Sequence, residues 1–121
     1  MSLKDRLHFD PAAGTVHDGP RRYLLMRPDV LMGMLRRLPP PDRERAMTAF
    51  AESIADHGAD SLRAYLAQLG GDRPALLAAT AAAAADLGGG RWRIAQSGAS
   101  LTLDVDGSPF ADGYGVADAP V

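Results

Sequence analysis

The chain has 121 residues, 46% of them apolar and 23% charged, with a net charge of −2 and no cysteine. One ordinary domain fits that length, and the balance of apolar and charged residues excludes a disordered chain. A disulfide framework, a thiolate metal site and a cysteine nucleophile are excluded too, and the weak negative charge argues against direct binding of nucleic acid.

Residues 7–26 are predicted to form a hairpin and a third extended piece. Leu7 to Asp10 and Thr15 to Asp18 alternate, with Pro11 to Gly14 as the turn between them. Asp18-Gly19-Pro20 makes a second turn, and Tyr23 to Met26 is a short apolar strand candidate ended by Arg27-Pro28. Residues 28–38 then read as a helix, because Val30, Leu31, Met34, Leu35 and Leu38 share one face. Arg36 and Arg37 stand in its last turn, where cations suit the helix dipole, and Pro39-Pro40-Pro41 stops it.

A longer helical region is predicted from about residue 41 to 69. Met47, Phe50 and Ile54 make one stripe, and Leu62, Tyr65, Leu66 and Leu69 make another. Gly58 marks a break or kink between them, with Asp60 or Ser61 capping the second piece. After Gly70-Gly71, Asp72 is the expected cap of an alanine-rich helix that runs to Leu87. Its alanines have high helix propensity but fill little volume, so a cavity is expected between this helix and the two-stranded ribbon that follows it. Residues 91–106 form the clearest hairpin. Trp92 and Ile94 share a face of one strand, and Leu101, Leu103 and Val105 point inward from the other. The order implies an α+β fold: one antiparallel sheet from the two hairpins, about 7–26 and 91–106, with three to four helices packed on one face.

Reactive constellations are sparse. His8 and His17 face each other across the first hairpin, beside Asp10 and Asp18, but hairpin geometry makes such pairs common, so they are read as surface or half-buried polar residues. The Asp104-x-Asp106-Gly107 run places its glycine too early for a calcium loop and has no closing glutamate. No serine stands in a nucleophile elbow. Gly88-Gly89-Gly90 lacks the Lys-Ser/Thr of a phosphate loop. Residues 1–45 carry nine Lys/Arg against six Asp/Glu, and Arg21-Arg22 and Arg36-Arg37 are read as a solvated face. The N-terminus has no apolar signal stretch, and no apolar run reaches the roughly 18 residues of a membrane span. A cytoplasmic location and no membrane contact are therefore expected.

Leu7-x-Phe9-Asp10-Pro11-x-x-Gly14-x-Val16, followed by Gly19-x-Arg21-Arg22-Tyr23-Leu24-Leu25-Met26, resembles the opening of a known domain. It is the effector-sensing domain of bacterial activators of aromatic catabolism, whose superfamily includes the 4-vinyl reductase, or hydrocarbon-binding, domain. Val105-Asp106-Gly107-Ser108-Pro109-Phe110-Ala111 is similar to a strand end in that family, and Tyr114-Gly115 with Ala119-Pro120-Val121 to the approach to its next segment. The resemblance implies a dimer that encloses a hydrophobic pocket. It also implies that residues 1–121 are the N-terminal part of a longer domain, with a cysteine-ligated zinc segment to follow. The family's phenol-binding histidine falls here in the neighbourhood of Leu77 to Thr80, and its late-strand tryptophan at Val105, which points to a more apolar or bulkier ligand than phenol.

The expected function is a non-catalytic sensory or carrier domain for a small hydrophobic or aromatic molecule, working in regulation of transcription and without a cofactor or metal. The wall residues expected are Leu76, Leu77, Thr80, Trp92, Ile94, Leu103, Val105 and Phe110, with Thr80 as the hydrogen-bonding group. The alternative is a homodimerising interaction scaffold without a ligand. A third reading makes the chain an accessory to tetrapyrrole 4-vinyl reduction.

Overall fold

In the computed structural model, residues 2–116 are described. Ser2 and Asp5 bond each other's backbone N–H, a reciprocal cap that starts a one-turn helix, α1 (Leu3–Arg6). The three-residue strand β1 (His8–Asp10) turns back into β2 (Thr15–Asp18). Asp10 accepts a hydrogen bond from the Ala13 backbone at 3.1 Å, and Gly14 takes the positive φ that closes the turn. Strand β3 (Arg21–Tyr23) completes an antiparallel sheet in the order β1-β2-β3. His8 pairs with His17, as the alternation predicts, and Phe9, Val16 and Tyr23 form one cross-strand row.

The expected strand at Tyr23 to Met26 is corrected: pairing ends at Tyr23, and Leu24 and Leu25 stand largely exposed. Pro28 lacks the N–H that a ladder needs and starts helix α2 (Pro28–Arg36) instead. The proline run ends α2 and, through Pro40, begins α3 (Pro40–Gln68). Arg43 of α3 reaches back to the Leu35 and Leu38 carbonyls at 2.9 and 3.1 Å, so it satisfies acceptors that the end of α2 leaves open.

Helix α3 runs unbroken through Gly58, against expectation, and Asp60 and Ser61 lie inside it instead of capping a second piece. One glycine costs a helix only about 1 kcal/mol relative to alanine. Good helix formers on both sides outweigh that cost. Gly70 and Gly71, both at positive φ, end the helix. Asp72 caps α4 (Arg73–Asp86) by accepting from the Ala75 N–H, as predicted. The hairpin of β4 (Arg91–Ser97) and β5 (Ser100–Asp106) follows in full register, and Ser108 caps a short α5 (Pro109–Tyr114).

The fold is α+β, but the two hairpins do not join into one sheet. The described residues hold a three-stranded sheet and a separate two-stranded ribbon, with five helices of which α2, α3 and α4 are longer than two turns. The reason lies in the edges. The ladder of β3 ends after three residues, and the ribbon of β4 and β5 is held by α4 instead. Helices on one face of a common sheet are likewise corrected, since α4 packs along β4 of the ribbon. None of the described helices is long and apolar enough to cross a membrane.

The main core joins α2, α3 and α5. Met32, Leu35 and Tyr114 are buried there, flanked by Leu31, Leu38, Ala46 and Met47. Arg36 donates to the Tyr114 carbonyl, and its guanidinium lies 4.7 Å from the centre of the Tyr114 ring. Gly113 lets α5 close onto α2. A Cβ at this position would lie 2.7 Å from the Pro28 carbonyl carbon. Gly113→Ala is therefore expected to destabilise the chain by about 1–3 kcal/mol through overpacking, seen as a lower thermal midpoint. An unchanged midpoint would contradict this close approach.

Candidate functional site

The alanine-rich helix borders a cleft, but not on the side of the ribbon, where its small side chains are expected to leave one. The cleft holds about 230 Å³ between α1, α3 and α4. Ala79, Ala82 and Ala83 share one face of α4 at helical spacing and contribute its small-residue wall. Leu3 and Leu69 add apolar surface, and Ser2, Arg6, Tyr65 and Gln68 bring polar groups. Helix α1 is held in place by the Lys4 backbone N–H, which donates to Asp86 at the end of α4 at 2.9 Å. Leu3, only 3% exposed, anchors it.

A charged clasp flanks the cleft. Arg6 pairs with Asp18 of β2 at 3.3 Å, and its guanidinium lies 5.4 Å from the centre of the Tyr65 ring. Burial opposes the charge on Arg6, but the hydrogen bond and negative charge of Asp18 outweigh it and hold the pKa above the usual arginine value. Tyr23, across the sheet edge, has its phenol pushed up, first by burial and then by Tyr65 and Asp18. Tyr65 thus ties the sheet, α1 and α3 together. The wall offers hydrogen-bonding groups beside an apolar surface, a combination that suits an oriented small molecule.

The eight wall residues expected from the sequence fall elsewhere, and none of them lines this cleft. Leu76, Leu77 and Thr80 are half-buried on α4, and the Thr80 hydroxyl donates to the Leu76 carbonyl at 2.8 Å within the same helix. Trp92 and Ile94 are half-buried on β4, directly opposite Val105 and Leu103 of β5. The ribbon therefore gathers these four on one face, but Leu103 and Val105 stay exposed where inward packing is expected. The Trp92 indole donates to the Gly89 carbonyl at 3.0 Å. Phe110 stands apart on α5, edge-on to Phe50 of α3 with ring centres 6.2 Å apart.

Residues that the sequence reading did not assign to the site are Ser2, Leu3, Arg6, Tyr65, Gln68 and Leu69, together with the alanine face. The alanine run and the Tyr65–Leu69 stripe were the available signals; which face of α4 met which neighbour was not. On the ribbon's other side, Asp106 accepts from Arg93 at 2.5 Å and from Arg91 at 3.1 Å. These hydrogen bonds hold the Asp106 carboxyl below the usual aspartate value. Among the described residues no group of three or more His, Asp or Glu side chains is placed to hold a metal. Asp18, next to His17, is engaged by Arg6. Ala119-Pro120-Val121, part of the family resemblance, lies outside the described residues. Compared with protein-family models, with curated proteins and with solved structures, the chain matches none.

Proposed function

We propose that the chain is a non-catalytic sensory or carrier domain that takes a small apolar or aromatic molecule in the cleft between α1, α3 and α4. The observation that carries this reading is the cleft itself, an apolar wall of small side chains with a tyrosine hydroxyl and an amide at hand. A closed apolar cavity of about 150 Å³ is enough to take up benzene; this cleft, open to solvent on one side, has room at about 230 Å³ for a single ring with a substituent. That size favours a smaller guest than the bulkier ligand expected from the sequence. The resemblance to effector-sensing domains supports a regulatory role, in which occupancy of the cleft changes how α1 and the three-stranded sheet are held.

Toluene and p-cresol are suitable probes, followed through backbone amide shifts in NMR titrations. Saturable shifts at Ala79, Ala82 and Ala83 are expected, tighter for p-cresol if Tyr65 or Gln68 bonds its hydroxyl. Ala83→Leu fills the cleft and is expected to weaken binding by about tenfold or more, a loss of about 1.4 kcal/mol or more. Shifts confined to Trp92 and Ile94, or none with either probe, would remove the reading.

A further inference from the structure

The link from β3 to α2 is apolar and bare. Leu24, Leu25 and Met26 belong to no regular element and are 76%, 72% and 53% exposed. By the register of β2 and β3, Leu24 and Leu25 would continue the ladder opposite Thr15 and Gly14. They leave it instead. The groove that opens there holds about 540 Å³ and is lined by Gly14, Val16, Arg22, Tyr23 and the two leucines. Contiguous exposed apolar side chains of this kind mark a contact surface.

Helix α2 extends this surface, because it is apolar on two sides. Met32 and Leu35 turn into the core with Tyr114. At about 100° per residue, Val30, Met34 and Arg37 stand on the opposite side. There Val30 is 60% and Met34 48% exposed. The charge around the run is one-sided. Between Asp18 and Asp42 the chain carries five arginines and one acidic residue, Asp29, although its net charge is −2. Arg27 holds both Asp29 carboxylate oxygens, at 3.1 and 2.6 Å, so that negative charge is already met. Arg22 and Arg37 make no ion pair among the described residues, and Arg37 donates only to the Gly33 carbonyl of its own helix. An exposed apolar run therefore lies between arginines whose charge is open to a partner.

We infer that residues 22–37 dock on an anionic lipid surface. Leu24, Leu25, Met26, Val30 and Met34 enter the boundary of the acyl chains, and Arg22 and Arg37 meet phosphate groups of the headgroups. The charge selects the partner: arginines beside an apolar face are drawn to anionic lipid. A fluid surface also suits an apolar link without regular structure. The strong anchors of a protein contact are aromatic side chains seated in pockets, and residues 24–37 contain no aromatic residue. The absence of a spanning segment does not bear on this contact, since an interfacial helix lies in the plane of the bilayer. The surface is separate from the cleft between α1, α3 and α4, and its use needs no ligand there.

Co-sedimentation of the 121-residue chain with two kinds of vesicle is the test: pure phosphatidylcholine, and an equimolar mixture of phosphatidylcholine and phosphatidylglycerol. Binding to the anionic vesicles is expected to be stronger by about tenfold or more, and to fall as salt rises. Leu25→Asp and Arg22→Glu should each weaken it by about tenfold or more. Leu25 is exposed, so the thermal midpoint should not move. Leu101→Asp, at an exposed position of the ribbon, should bind as the wild type does. Leu25→Trp gives a second reading, an emission that shifts to the blue in anionic vesicles while the wild-type Trp92 signal stays put. Absent or equal binding to the two vesicles overturns the inference, and so does binding that Leu25→Asp leaves unchanged or a Leu25→Trp emission that does not shift. Self-association abolished by Leu25→Asp, without vesicle binding, would assign the surface to a protein contact and overturn it as well.

Discussion

Replacing Leu35 with alanine is expected to destabilise the chain by about 2–5 kcal/mol, the range for a large-to-small change in a buried site. Leu35 is 4% exposed and belongs to a cluster in which only Met32 and Tyr114 are also buried. None of the described side chains is covered beyond 98%, so the cluster has few neighbours to share the loss. Domains of this size have only about 5–15 kcal/mol in total, so the variant approaches the limit of stable folding. The loss should propagate to α3, because its Ala46 and Met47 pack against the cluster that holds Leu35. Urea unfolding followed by far-ultraviolet circular dichroism measures it. Leu35→Met, which conserves volume, is expected to cost less than about 1.5 kcal/mol. A loss below about 1 kcal/mol for Leu35→Ala would mean that the core does not rest on this cluster.

The local elements of this fold were largely readable from side-chain chemistry. Asp72 announces α4, the alternation from Trp92 to Val105 sets the ribbon register, and Asp10 with Gly14 makes the first turn. These signals act within a few residues and depend on backbone preference. The association of the two hairpins was not readable. Whether β3 and the ribbon share an edge depends on where α4 places the ribbon, and no local pattern encodes that. Gly58 misled for a related reason: a glycine weakens a helix without ending it, and the flanking residues decided the outcome. Helix α5 was missed because Gly113, a poor helix former, is there for close contact with Pro28.

The candidate site was legible in one half only. Alanine's small volume pointed to a void beside α4, and a cleft is there. The sequence reading turned the void toward the ribbon, where Trp92 and Ile94 supply large apolar area. Instead the face carrying Ala79, Ala82 and Ala83 turns toward Leu3 and Tyr65. Helix α1 made the difference, since its Ser2–Asp5 cap is a short motif in a segment otherwise read as an irregular start.

Asp18→Asn is expected to cost about 2 kcal/mol, below the roughly 3–5 kcal/mol that loss of one partner costs in a fully buried ion pair. The side chains of Arg6 and Asp18 are 25% and 10% exposed, so some solvent relief remains at the arginine end. The substitution keeps shape and volume and removes only the charge, leaving Arg6 half-buried where burial already works against its cation. The ring of Tyr65 compensates in part, as a cation over an aromatic face is worth about 0.5–2 kcal/mol. A double-mutant cycle isolates the pair: in an Arg6→Met background, Asp18→Asn should cost less than about 0.5 kcal/mol, since no stranded cation remains. If the cost is the same in both backgrounds, Asp18 acts through the sheet alone. High salt should change the wild-type value little, because the pair is mostly shielded from solvent ions. The same clasp fixes one wall of the cleft, since Arg6 lines it. Asp18→Asn should therefore also weaken binding of p-cresol, whereas Leu35→Ala, on α2 and outside the lining of the cleft, should leave the affinity of the folded fraction unchanged.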